Sequence, residues 1–309
     1  MRKLLLHEVG PRDGLQVEKA VVPTGVKEAW IRRAAASGLD VVQVGSFVHP
    51  EKVPQMADTD ELFRRLTSAP REGRAVYSGL VLNEKGLDRA LACGVELVCL
   101  GVSASETHSL KNTGMGTEEA TRRIVATAKK AIGAGRPVQV SVQSAFGCGF
   151  EGPVPEARVL GVVRAYLDAG LTRISLADTA GHAYPEQVEW LFDRVRDLEP
   201  DVELACHFHD TYGVGMANVW AAMRSGVVSF EASFAGLGGC PFTKFAAGNV
   251  ATEDLVHALQ RNGVRTDVKL DELIALARDV AAFFAREMPG KVHRAGPVPS
   301  LTKWEEVPA

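Results

Sequence analysis

The sequence predicts an α/β fold, a (β/α)8 TIM barrel with an extra C-terminal helix, formed as one domain over residues 1–309. Three observations carry this expectation. Eight short runs rich in β-branched residues alternate with longer amphipathic stretches. No long linker divides the chain, and its 309 residues suit one α/β barrel. The turn after the first run reads GPRDGLQ, where a doubly wound sheet usually shows GxGxxG.

The first strand is expected at 4–9 (LLLHEV), with a helical pattern after it in TGVKEAWIRRAAASG. Strands two to four follow at 40–47 (DVVQVGSF), 75–82 (AVYSGLVL) and 95–102 (VELVCLGV). The stretch TEEATRRIVATAKKAIGAG then reads as a helix, with Thr117 placed to cap it and Gly133 and Gly135 to stop it. Strands five to eight are expected at 137–146, 171–178, 202–210 and 227–237. Gly38, Gly94, Gly170 and Gly226 each sit just before a strand, where helix C-caps belong. The extra helix spans about 270–288: Leu270, Leu273, Leu276, Ala277, Val280, Phe283 and Phe284 recur at helical spacing. Its apolar face serves packing within the chain or contact in a homodimer.

Composition narrows the function. Lys plus Arg number 35 against 38 Asp plus Glu, a net charge of −3 with no basic block, so no nucleic-acid partner is expected. A local basic pocket for one phosphorylated ligand stays compatible with this balance. The five cysteines are odd in number and lack a CxxC pair, which disfavours a disulfide framework or structural zinc and points to a reducing cytoplasm. The N-terminal apolar run is short for a signal peptide, and no segment reaches the length of a membrane span.

In a barrel of this kind reactive groups gather where strands end, at the C-terminal rim. Glu8, Arg12, Asp13 and Gln16 fall there after strand one, and Gln43, Ser46 and His49 at strand two. Ser103, Glu106, Ser141 and Gln143 follow at strands four and five, and Asp178 with Thr179 at strand six. His207, His209 and Asp210 close strand seven, and Gly236 to Cys240 strand eight. So many reactive side chains on one rim suit an enzyme better than a binding scaffold.

His207 and His209, two apart on a strand, point to one face, with Phe208 turned the other way. Two imidazoles suit a divalent metal, and Asp13 from strand one could add an oxygen. Without thiolates, such a set matches Mg²⁺ or Mn²⁺ better than structural zinc. The alternative is a pair of rim histidines satisfied by hydrogen bonds. Asp210 is read as the cap of the following helix, while Asp178 is as well suited to a cap as to the site. Cys240, in the glycine-rich run GLGGCPF, is either an inert buried thiol or an acid, base or redox group on a loop over the mouth.

Taken together, EVGPRDGLQVEK (8–19), VGSFV (44–48), SLADT (175–179), HFHDTYG (207–213), GLGGCPF and GNVATEDL resemble 3-hydroxy-3-methylglutaryl-CoA lyases, TIM-barrel lyases with an Arg-Asp pair after strand one. The likeness runs from about residue 7 to about residue 290. It implies a cation held by Asp13, His207, His209 and Asn249, and cleavage of a 3-hydroxyacyl-CoA to acetyl-CoA and a keto acid. It further implies Arg12 beside the enolate oxygen, Cys240 in proton transfer to the enolate carbon, and His207 in proton movement. Gln16, Gln43, Ser46 and Asp178, on the same rim, are expected substrate contacts. No nucleotide cofactor is implied, in keeping with the missing phosphate-binding glycine motif.

Departures from the family pattern gather near the mouth. Gln43 stands where the family usually has Glu, THSLKNTGMG follows SASE, FGCGFEG lacks the usual Pro after its cysteine, and DTAGHAYP brings in His182. These differences leave open a relative of the methylglutaryl substrate, such as citramalyl-CoA. A Claisen-condensing synthase shares the Arg-Asp and HxH features but typically has Asn before the Asp that follows HxH.

Overall fold

Eight parallel strands pair in chain order and the last returns to the first, closing a barrel. The computed structural model describes residues 4–71, 73–239 and 248–299. The strands are β1 (Leu5–Glu8), β2 (Val41–Ser46), β3 (Val76–Leu80), β4 (Leu97–Ser103), β5 (Val138–Gln143), β6 (Arg173–Asp178), β7 (Glu203–Phe208) and β8 (Ser229–Ala232). Each crossover contains at least one helix, as parallel pairing requires. All seven residues of β4 are buried, which explains why this strand reads as a continuous run rather than an alternating one.

The expected helices form, with different local anchors. The helix Thr117–Gly133 buries Ala120, Ile124, Ala128 and Ala131 on one stripe. Thr117 opens it without capping it: Glu106 accepts the Thr117 amide at 3.0 Å, and the Thr117 hydroxyl donates to the Ser103 carbonyl. The four glycines read as helix stops adopt φ from 74° to 99°. The C-terminal helix runs Leu270–Phe284, shorter than expected, and buries Leu273, Ile274, Leu276, Ala277 and Val280. Trp30 meets Phe283 edge to face at 5.5 Å. This apolar face is therefore used within the chain.

Six strands end earlier than the sequence suggests, and at three of them, β1, β7 and β8, the reason shapes the mouth. β1 stops at Glu8 because the Asp13 and Gly14 amides turn back to the Val9 carbonyl, winding Gly10–Gly14 into a π-helical turn. β7 stops at Phe208 because His209 pairs instead with Asn249 in an antiparallel bridge. β8 stops at Ala232 because buried carboxylates capture the next amides: Glu8 accepts Phe234 N at 2.9 Å and Glu253 accepts Ala235 N at 3.0 Å. Among the described residues, no helix is long and apolar enough to cross a membrane.

Candidate metal centre at the barrel mouth

The turn after β1, the end of β7 and the strand-like stretch at Asn249 meet at one point. His207 Nε2 and His209 Nε2 lie 3.1 Å apart, and Asp13 Oδ2 is 3.8 Å from the first and 3.6 Å from the second. The three side chains offer ligand atoms that all lie within 4.8 Å of one another. Asn249 Nδ2 donates to Asp13 Oδ2 and to the Leu237 carbonyl, both at 2.9 Å. Its Oδ1 is buried with no hydrogen-bond partner. Two glycines make the convergence possible. A Cβ at Gly10 would stand 2.7 Å from Glu8 Oε1, and one at Gly238 would stand 2.4 Å from Asn249 Nδ2.

Charge is arranged around this point. Arg12 donates through Nη1 to Asp13 Oδ1 and through Nε to Gln43 Oε1. Burial opposes a charge on Asp13, but the Arg12 guanidinium and the two histidines outweigh it and hold the carboxyl well below the usual carboxylate range. Burial also disfavours imidazolium at His207, yet the hydrogen bond to Glu231 and the Asp13 charge raise its affinity for the proton. An ionised carboxylate and two imidazoles form a donor set that fits a divalent cation of the hard-to-borderline class, and Asn249 adjoins it through its hydrogen bond to Asp13. Cys99 lines the same cavity, but burial pushes its thiol up to about 12, so it offers no thiolate.

The cavity holds about 1070 Å³. Arg12, Asp13, Gln16, Gln43, Ser46, His207 and His209 all reach it, so most of the expected site residues share one chamber. His49, Lys52, Lys85 and Arg123 also line it, together with Glu84. Asn249 does not line it, and neither does Asp178. The two oxygens of Asp178 accept the amides of His182 at 2.8 Å and Ala183 at 3.1 Å, and it is fully buried. Burial raises its carboxyl to about 6 against those two hydrogen bonds. The helix-cap alternative, in the form of a turn anchor, describes Asp178 better than substrate contact does. Asp210 likewise anchors a helix, accepting Gly215 N at 2.7 Å. Cys240 lies outside the described residues.

Glu231, which lies before the end of β8 and outside the rim pattern, also lines the chamber. Its Oε2 is 3.0 Å from His207 Nδ1, and its Oε1 accepts from Gln139 Nε2 at 2.7 Å. β5 and β8 are not neighbours in the sheet, so the second bond crosses the barrel interior. Burial opposes the charge of Glu231 too, but the hydrogen bond from His207 and the nearby positive groups bring its carboxyl down to about 2. The signal was present in SFEAS: Phe230 and Ala232 are buried on one side of β8, which leaves Glu231 on the other. A charge inside a barrel is costly unless it is paired.

A family model described as HMGL-like matches residues 3–280. A hydroxymethylglutaryl-CoA lyase of Bacillus subtilis is 35% identical over 290 residues, 94% of this chain and 96% of the relative. An (R)-citramalyl-CoA lyase of Chloroflexus aurantiacus is 37% identical over 305 residues, 96% of each chain. Among solved structures, an HMG-CoA lyase from Acinetobacter baumannii in complex with coenzyme A and 3-methylmalate matches with a TM-score of 0.90 at 37% identity, covering 97% of both chains.

Proposed function

The chain belongs to the HMGL-like family, and we propose that it is a divalent-metal-dependent carbon–carbon lyase that cleaves 3-hydroxy-3-methylglutaryl-CoA to acetyl-CoA and acetoacetate. The observation that carries this reading is the convergence of Asp13, His207 and His209, with Asn249 hydrogen-bonded to Asp13 and Arg12 directly beside it. These four residues would hold the cation, with Mg²⁺ or Mn²⁺ the natural occupants of such a set. When bound, the cation supplies Lewis acidity that makes the substrate hydroxyl easier to deprotonate.

The remaining chemistry falls to the side chains. A base takes the hydroxyl proton, the oxygen's electron pair forms the ketone C=O, and the C2–C3 pair passes to the thioester as its enolate. Arg12 has two of its donor groups tied to Asp13 and Gln43, which fixes the guanidinium and leaves N–H groups for the enolate oxygen. His207 turns Nε2 to the cluster and Nδ1 to Glu231. Both nitrogens are thus engaged, and we assign the residue to holding the cation rather than to moving the proton. Cys240 is our assignment for the acid that delivers a proton to the enolate carbon. Gln16 and Ser46 complete the acyl end of the chamber, and Lys52 and Lys85 suit the phosphates of the coenzyme A portion. We place the reaction in the cytoplasm, since Cys93, Cys99, Cys148 and Cys206 are all unpaired.

Gln43 supports a second reading, cleavage of citramalyl-CoA to acetyl-CoA and pyruvate. A neutral amide beside Arg12 leaves Asp13 as the only carboxylate hydrogen-bonded to that guanidinium among the described residues. This changes the charge that a substrate carboxylate meets. The test is product analysis with each thioester in Mg²⁺ or Mn²⁺. Acetoacetate from the first substrate supports the main reading, pyruvate from the second alone supports the other, and no turnover of either refutes both.

A further inference from the structure

We propose that Glu231 is a positioning residue for the metal cluster: it takes the Nδ1 proton of His207 in a hydrogen bond and so turns the Nε2 lone pair toward Asp13 and His209. The proposal rests on reading Asp13, His207 and His209 as a cation site. A neutral imidazole offers a lone pair at one nitrogen only when its proton sits on the other, so whatever binds the second nitrogen selects the ligand atom. At His207 that second nitrogen meets a carboxylate oxygen at 3.0 Å, while Nε2 faces His209 Nε2 at 3.1 Å and Asp13 Oδ2 at 3.8 Å.

The carboxylate is itself held from a different wall of the barrel. Gln139 donates to its other oxygen at 2.7 Å, and the Glu231 side chain is only 8% exposed. His7 Nδ1, 3.9 Å from that same oxygen, has no hydrogen-bond partner, while His7 Nε2 is engaged with Ser78 at 2.9 Å. Glu231 is thus fixed between β5 and β8 with its acceptor aimed at His207. The arrangement is one-sided. His209 Nδ1 is buried with no partner, and His209 is placed instead by its backbone bridge to Asn249. One histidine is oriented by a carboxylate and the other by the main chain.

The test uses full-length protein and Mn²⁺ as the probe, with free Mn²⁺ counted by electron paramagnetic resonance. Glu231→Ala is expected to weaken Mn²⁺ binding about 10- to 100-fold, the usual effect of losing an outer partner of a ligating histidine. Glu231→Gln keeps an oxygen that accepts from Nδ1–H and is expected to recover most of that loss. The second readout is ¹⁵N NMR of histidine-labelled, metal-free protein at a pH where the ring is neutral. Wild type should show His207 protonated on Nδ1 and bare on Nε2, and Glu231→Ala should move the proton toward Nε2. A wild-type His207 carrying its proton on Nε2 overturns the proposal, even if Glu231→Ala does not fold. So does a folded Glu231→Ala that binds Mn²⁺ as wild type does. If wild type binds no Mn²⁺, Mg²⁺ or Co²⁺, the cation-site reading fails and takes this role with it. The metal-free spectrum still separates that failure from a wrong tautomer.

Discussion

Glu8 offers a sharp test of how the mouth is built. Its carboxyl is completely buried, accepts Gly10 N at 2.7 Å and Phe234 N at 2.9 Å on one oxygen, and meets the Thr252 hydroxyl at 2.7 Å with the other. It thereby ties the turn that carries Arg12 and Asp13 to the turn that ends β8. Burial raises the carboxyl from an ordinary 4.5 to about 8, against the three hydrogen bonds and with a push in the same direction from the neighbouring Glu253. A protonated Glu8 satisfies the same geometry, because the Thr252 hydroxyl can accept as well as donate. In that state the residue is a close match in shape and hydrogen bonding to glutamine.

The folded protein therefore keeps a proton that the unfolded chain has released. The contribution of Glu8 to stability is complete below about pH 4.5 and is lost as pH rises through about 8. At about 1.4 kcal/mol per tenfold change in proton affinity, this removes roughly 3 to 4 kcal/mol between pH 5 and pH 8. Glu8→Gln cannot titrate and should escape that loss. Urea unfolding of both proteins at several pH values measures the difference directly. The variant should gain about 3–4 kcal/mol on wild type across the range, with little cost at pH 5. A difference that stays flat with pH would show that Glu8 is ionised throughout, so that its three donors outweigh its burial.

Other variants probe the centre itself. His209→Ala and Asn249→Ala should each weaken Mn²⁺ binding, His209→Ala by more than the ~10- to 100-fold expected for an outer partner. Calorimetric affinities equal to wild type would remove the residue from the ligand set. Gln43→Glu places a second carboxylate beside Arg12 and should shift the ratio of kcat/KM for the methylglutaryl and citramalyl thioesters by about tenfold or more, some 1.4 kcal/mol. An unchanged ratio would show that Gln43 does not set the preference. Cys240→Ala should keep Mn²⁺ affinity while kcat falls about 10²- to 10⁴-fold, the range for loss of a proton-transfer group. Normal turnover would return the thiol to a packing role.

What the sequence showed and what it hid divide along a physical line. Strand and helix order could be read because burial on both faces writes β4 as an unbroken apolar run and the helix Thr117–Gly133 as a stripe. HxH could be read because alternation along a strand is a local property, and Phe208 is indeed buried, 5.7 Å from Phe146 between ring centres. Strand ends were less legible, since they depend on partners far along the chain. β8 ends where Glu8 and Glu253 take its amides, at separations of 226 and 18 residues. Asp178 was ambiguous for the opposite reason. An acid before a helix is a cap or a ligand by the same spacing, and only the placement of the His182 and Ala183 amides decides between them.

These late decisions explain why the centre forms where regular structure stops. His209 lies one residue past β7, and leaving the ladder lets it pair with Asn249, 40 positions later in the chain. Asn249 Oδ1 is buried and unpartnered there, while its amide nitrogen is committed to Asp13 and Leu237. A buried polar atom without a partner costs about 1–3 kcal/mol, and this one belongs to a side chain that is hydrogen-bonded to Asp13 of the cluster. The protein therefore keeps unsatisfied hydrogen-bonding capacity at Asn249 and at His209 Nδ1, among other buried polar atoms near the rim such as Ser46 Oγ and Ser233 Oγ. A cation bound there would answer Asp13, both histidines and Asn249 at once, so its affinity should draw on relief of that deficit as well as on the new bonds. Thermal stability should then rise on adding Mn²⁺ to wild type, and rise less in Asn249→Ala, where one deficit has been removed together with one ligand. Equal shifts in the two proteins would show that Asn249 Oδ1 is not part of what the metal satisfies.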